Sequence, residues 1–286
     1  IPMGFIAGGL LTRSIAPFFG SVGLLVAAAL CIALTLLMAG AARYVFPHRF
    51  VVPPAESQPV QPAAARSLWR SRYTLLIFGI LISWTLAFFF VDNIFLAQVS
   101  ARFATEADVA AFMGIYSMVR GLLMLLGGLM VAGPLLGRFG VRVGLLVLPA
   151  VLALSSAVLI VPGVIWGVIP FLFWPAVATK ILNYAFDAVD RSSRSILYQP
   201  LPVAVRLRVQ TVTEGILQPV MTGIAGVLLL VLTGALGFSV VQLGIGLLLV
   251  LAGWIVLGLL AGREYPRVLM NALLRRRLDG TVAALD

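Results

Sequence analysis

The chain has 286 residues, 62% of them hydrophobic and only 10% charged, with a formal net charge of +10. Soluble domains carry about 25% charged residues, so this chain lacks the charge to cover a water-facing surface, and its mean hydropathy of +1.11 puts it in a bilayer. The lone Cys31 excludes an internal disulfide and a thiolate zinc cluster, and with His48 as the one histidine the usual Ser-His, Cys-His and His-metal catalytic sets are hard to assemble, so no enzyme and no cofactor is expected.

A hydrocarbon core about 30 Å thick takes roughly 20 apolar residues of helix. On that measure the chain opens with a partial span over about 2–18, interrupted by Arg13 and closed by Pro17 and Gly20. Seven full spans follow, over about 21–44, 73–99, 109–133, 143–162, 165–187, 211–234 and 237–261. The expected fold class is therefore all-α, a polytopic transmembrane helix bundle of about eight spans. Ile1-Pro2-Met3-Gly4 has neither an initiator Met nor a charged leader and reads as a cut made inside a longer protein.

The connections alternate in charge, which sets orientation through the excess of basic residues on the cytoplasmic side. Arg49, Arg66, Arg70 and Arg72 mark an inner connection, and Arg102 with Glu106 and Asp108 an outer one. Arg138 and Arg142 mark the next inner turn, and Arg191, Arg194, Arg206 and Arg208 another. Arg263, Arg267 and Arg275 to Arg277 follow the last span and place the C-terminus in the cytoplasm. Because the basic residues sit in these loops, the expected partner is the lipid bilayer and not nucleic acid. Pro53, Pro54, Pro59 and Pro62 among Ala, Gln and Ser form a linker. Four regions result: the end of a first helix bundle (1–48), a cytoplasmic linker (49–72), a six-helix bundle (73–262) and a basic amphipathic tail or connector (263–286).

Among 20 basic residues Lys180 is the one lysine, and it lies inside a span. At 3.6 residues per turn Lys180, Asn183, Tyr184, Asp187, Arg191 and Arg194 share one helical face. An ionisable group at membrane depth faces a cavity or a partner. Taking the span to end near 187, Lys180 stands roughly 10 Å above its inner end at 1.5 Å per residue. Two readings follow: a structural pair with Asp187 or Glu214, or a cation lining a cavity that holds an anion. Arg120 lies mid-span and Asp92 near the outer end of the preceding span, so antiparallel packing offers a gate or a brace between them. Glu214 begins a span, where the helix dipole favours a carboxylate. Trp84 and Trp174 read as packing residues, and Trp69, Tyr73 and Trp166 as interface anchors.

The turn Gly133-Pro134-Leu135-Leu136-Gly137-Arg138-Phe139-Gly140-Val141-Arg142 resembles the signature cytoplasmic turn of the major facilitator superfamily, with Gly137 where that family has an acid. The stretch Lys180, Tyr184, Phe186-Asp187 and Tyr198-x-Pro200-Leu201 resembles the tenth helix and following loop of the ATP/ADP carrier branch, the nucleotide transporters of plastids and intracellular bacteria. That resemblance implies a carrier working by alternating access, a nucleotide as the anionic substrate, and a bacterial inner membrane as the location. Taken with the polar stripe, it makes Lys180, Asn183, Tyr184 and Arg120 the expected substrate contacts, and Asp187, Glu214, Asp92 and Arg138 the expected gating or structural charges. Bacterial relatives carry HEAT repeats and a cyclic-nucleotide-binding domain, and the tail from Arg263 resembles the lead-in to such an extension. The rival reading is a transporter-derived anchor and sensor for cytoplasmic domains, which Gly137 and the long Asp187 to Tyr198 spacing favour.

Overall fold

The computed structural model describes residues 2–45, 71–166 and 172–282. Among the described residues every regular element is a helix, the form in which a single segment satisfies its own backbone groups in hydrocarbon. In chain order these are α1 (Pro2–Val45), α2 (Arg72–Arg102), α3 (Glu106–Leu126), α4 (Gly133–Trp166), α5 (Phe173–Leu197), α6 (Val203–Val212), α7 (Gln218–Leu230) and α8 (Val240–Val282). Wide π-helical turns at Gly127–Ala132 and Thr213–Leu217 join α3 to α4 and α6 to α7, and a third at Val231–Ala235 extends α7. Among the described residues, five continuous stretches qualify by length and apolarity to cross a membrane: Leu25–Tyr44, Arg72–Arg102, Glu106–Val161, Val205–Ala235 and Val240–Leu274.

Several boundaries differ from the expected ones, for identifiable reasons. The stretches 2–18 and 21–44 form one continuous helix, because apolar surroundings penalise an open turn more than the one hydrogen bond that Pro17 removes. α5 runs ten residues beyond the expected end at 187, carried by the pairs Asp187 with Arg191 and Asp190 with Arg194, each four residues apart. The last span and the tail likewise form one helix, α8, which passes through Pro266. The Pro-rich linker lies outside the described residues, as does the start of the span expected at 165–187.

The chain divides into two compact units. In the first, Ile1–Arg66 with Phe103–Gly121, α1 meets α3 at Gly9 and Gly114, where a Cβ on either would strike the other's backbone. Small residues at such a crossing let transmembrane helices pack by van der Waals contact. Thr105 caps α3, accepting from the Asp108 amide at 3.2 Å while its hydroxyl donates to the Asp108 carboxylate at 2.6 Å.

The second unit, Ser67–Arg102 with Leu122–Asp286, is the bundle that carries the polar stripe. α4 packs on α5 and α8, and α2 packs on α8, α5 and α7. Its core is Phe95 of α2, Leu145, Leu148 and Leu152 of α4, and Leu247, Leu251 and Trp254 of α8, all buried. The expected turn after Gly137 appears as a kink at Gly140, with φ 74° and ψ 176°, a region open essentially to glycine alone. Tyr73, expected as an interface anchor, is buried and donates to the Leu197 carbonyl at 2.8 Å. That bond satisfies one of the orphan carbonyls at the end of α5 and fixes that end against the start of α2.

Candidate functional site

Two helices build the polar interior of the second unit. On α2, Trp84, Phe88 and Asp92 recur every four residues and so lie on one face. On α5 the opposing face carries Lys180, Tyr184, Asp187, Arg191 and Arg194. The helices pass antiparallel, and the π-helical turn at Gly127 comes so close to α5 that a Cβ there would collide with the Ala185 carbonyl.

Lys180 Nζ lies 2.5 Å from Asp92 Oδ1, with side-chain exposures of 2% and 35%. Its ammonium stands 4.3 Å from the Phe88 ring centroid and 5.1 Å from that of Tyr184, within the distance at which an aromatic face attracts a cation. Phe88 packs edge-on against Tyr184 at 6.4 Å and is stacked with Trp84 at 5.8 Å. Arg194 completes the series with its guanidinium carbon 4.4 Å from the Trp84 ring. A continuous row of cation, ring, ring and cation therefore runs between α2 and α5.

Beyond Trp84 the row opens into a cavity of about 350 Å³, inside the range of roughly 300–1,000 Å³ typical of small-molecule sites. It is lined by Arg191, Arg194, Ser195 and Tyr198 from α5 and its end, by Gln210, Thr213, Glu214 and Gln218 from α6 to α7, and by Leu81 and Trp84 of α2. Arg191 contacts Asp187 at 2.6 Å, and Arg194 contacts Asp190 at 2.9 Å. Asp190 is fully buried and Arg191 is 61% exposed. Each acid holds one edge of a guanidinium, which carries five N–H donors, so both arginines keep donors for a ligand in the cavity. Burial raises the Tyr198 phenol above its ordinary pKa, and it meets the cavity as a neutral hydroxyl.

Lys180, Asn183 and Tyr184 come together as the sequence suggested, all three buried. The partner of Lys180 is Asp92, not Asp187 or Glu214. Asp187 lies two turns along the same helix and is engaged by Arg191, whereas antiparallel α2 sets Asp92 directly opposite. With α5 ending at Leu197, Lys180 is seventeen residues, about 26 Å, from that end, against the 10 Å expected from an end at 187. Glu214 lines the same cavity as Arg191 and Arg194. Arg120 belongs to the first unit, where its guanidinium lies 3.9 Å from the Phe5 ring centroid. Arg138 is exposed on α4, two residues before Gly140. Trp84 is a cavity wall and the platform under Arg194 rather than simple packing. Gln210, Thr213 and Gln218 were missed as site residues. The four-residue recurrence of Trp84, Phe88 and Asp92 was the available signal for the α2 face, and Tyr198 was visible in its motif.

Residues 58–265, which include every residue of the row and the cavity, match the family model described as TLC ATP/ADP transporter. No curated protein and no solved structure matches the chain. The match spans most of the chain and both walls of the cavity, and the protein belongs to the TLC ATP/ADP transporter family.

Proposed function

We propose that the protein is a membrane carrier that moves a nucleotide by alternating access, in the manner of a major-facilitator-type carrier, between two helix bundles. The cavity between α2, α5 and the α6–α7 turn carries this reading. It pairs two anchored arginines with neutral donors and acceptors and an apolar side, which are the contacts a phosphate ester with a flat base requires. Arg191 and Arg194 hold the phosphates. Lys180, Asn183 and Tyr184 form a further station on the same face of α5. Asp92, Asp187 and Asp190 hold the cations in place, with Asp92 releasing Lys180 when an anion competes for it. On this reading the membrane is a bacterial inner membrane, and the distribution of Arg between connections supports a cytoplasmic C-terminus.

The anchor reading has one observation in its favour. α8 continues from the last span through Pro266 to Val282 as a single helix, a geometry suited to a stiff connector for cytoplasmic domains as well as to a surface-lying basic helix.

Thermal unfolding of the purified protein in detergent with ATP, ADP, GTP and sugar phosphates separates the two. A ligand at a hundred times its Kd adds about 2.7 kcal/mol, and Arg191→Gln should weaken nucleotide binding by about ten- to a hundredfold, the worth of a hydrogen bond to a charged group. Arg191 is chosen because its exposure lets it be replaced with the bundle intact. Absence of any nucleotide effect, or an effect indifferent to Arg191→Gln, would leave the anchor reading in possession.

A further inference from the structure

We propose that Arg142 of α4 and Arg263 of α8, neighbours where the two helices cross, bind the headgroup phosphate of an anionic phospholipid on the outside of the second unit. The site shares no residue with the cavity, and the proposal needs only the membrane location, not the nucleotide reading.

α8 presents one exposed stripe. Leu249, Val256, Leu260, Arg263 and Arg267 follow one another at helical spacing, all of them exposed. Gly262 stands twenty-two residues, about 33 Å, along α8 from Val240. With a hydrocarbon core about 30 Å thick, the stripe therefore turns from apolar to basic at the membrane border, the one that the distribution of Arg marks as cytoplasmic. At Gly262 the stem of Arg142 occupies the place of a side chain: a Cβ there would stand 2.7 Å from Arg142 Cγ and 3.4 Å from Cδ. Gly258, one turn earlier, seats Leu146 in the same way at 3.2 Å. Arg142 is thereby held beside the residue that precedes Arg263, and both arginines remain exposed. Among the described residues neither enters an ion pair, whereas Arg267 meets Glu264 at 3.8 Å.

An arginine that only snorkels lays its stem along apolar surface and keeps its head in water. Here one stem is fixed against the neighbouring helix, and two guanidiniums at the hydrocarbon border offer N–H donors to phosphate oxygens. Basic recesses between transmembrane helices on the cytoplasmic side suit anionic headgroups. Leu249, Val256 and Leu260, exposed by 71%, 54% and 42%, carry the stripe from Arg263 into the hydrocarbon, where acyl chains lie. A phospholipid with one net negative charge matches both halves of the stripe. Free phosphate leaves the apolar half unused, and a zwitterionic headgroup brings its own cation against the arginines.

Native mass spectrometry of the purified chain in detergent, given equimolar phosphatidylglycerol and phosphatidylcholine of the same chain length, tests this. Wild type should retain phosphatidylglycerol over phosphatidylcholine by about tenfold or more, the worth of one hydrogen bond to a charged group. Arg142→Gln with Arg263→Gln should abolish most of that preference, while Arg276→Gln with Arg277→Gln, which removes the same charge from the tail, should leave it. Gly262→Ala keeps every charge but displaces the Arg142 stem, and should also lower the preference; it and the wild-type ratio stand as tests should the double substitution fail to fold. Equal retention of the two lipids by wild type overturns the proposal. An equal loss in the Arg276 and Arg277 variant replaces the site by diffuse attraction to a basic protein, and displacement of the bound lipid by millimolar inorganic phosphate makes it a site for free anions; either result overturns the proposal as well.

Discussion

Asp92 and Lys180 show how the polar interior is held at the level of single residues. Lys180 is 2% exposed, and removing its partner strands a cation in a low-dielectric interior. Breaking a buried pair costs about 3–5 kcal/mol, and Asp92→Asn should fall toward the lower end because Asp92 is 35% exposed and water screens it. The double variant Asp92→Asn with Lys180→Met should recover most of that loss, since it removes both charges. Chemical unfolding in detergent measures both, and a single variant as stable as wild type would show that Lys180 does not depend on Asp92. That pairing was only half legible in the sequence. The stripe from Lys180 to Arg194 follows from helical spacing alone, but the identity of a cross-helix partner depends on the register of α2 against α5. No local pattern encodes that register, and the acids expected to pair with it, Asp187 on the same stripe and Glu214 at the start of the next span, are not the ones that α2 and α5 bring to it.

At the scale of elements, glycines and wide turns decide where helices reverse and how near they come. Gly140, at φ 74° and ψ 176°, takes a conformation that costs any other residue about 1–3 kcal/mol. Gly140→Ala should lower stability by that amount in thermal unfolding, while Gly137→Ala, with open space around it and helical neighbours, should change little. Equal effects of the two would contradict the assignment of the reversal to Gly140. The turn itself was readable from its Gly, Pro and Arg content. The π-helical turns were not, because apolar periodicity does not distinguish a 3.6-residue turn from an occasional wider one. For the same reason Thr213, Glu214 and Gln218 were legible as the start of a span but not as one wall of a cavity. Helix lengths were misjudged wherever charge was read as the end of a span. The acids and arginines of α5 pair along the helix and extend it to Leu197, which sets Lys180 farther from the helix end than its neighbours in sequence suggested.

For the whole molecule, composition with the length of the apolar runs was enough to predict an all-α membrane bundle, since 10% charged residues put the chain in lipid and runs of about 20 apolar residues span it as helices rather than as the short alternating strands of a barrel. What the bundle does rests on the cavity and on the family to which residues 58–265 belong. The most direct test of the carrier account is counter-exchange in proteoliposomes reconstituted with the purified protein. Vesicles loaded with unlabelled nucleotide should accumulate external labelled nucleotide faster than empty ones, because a carrier that alternates between two openings returns loaded, and Arg191→Gln should slow that exchange. Uptake no greater than in protein-free vesicles, from protein shown to be folded and inserted, would contradict it and identify the bundle as a membrane anchor.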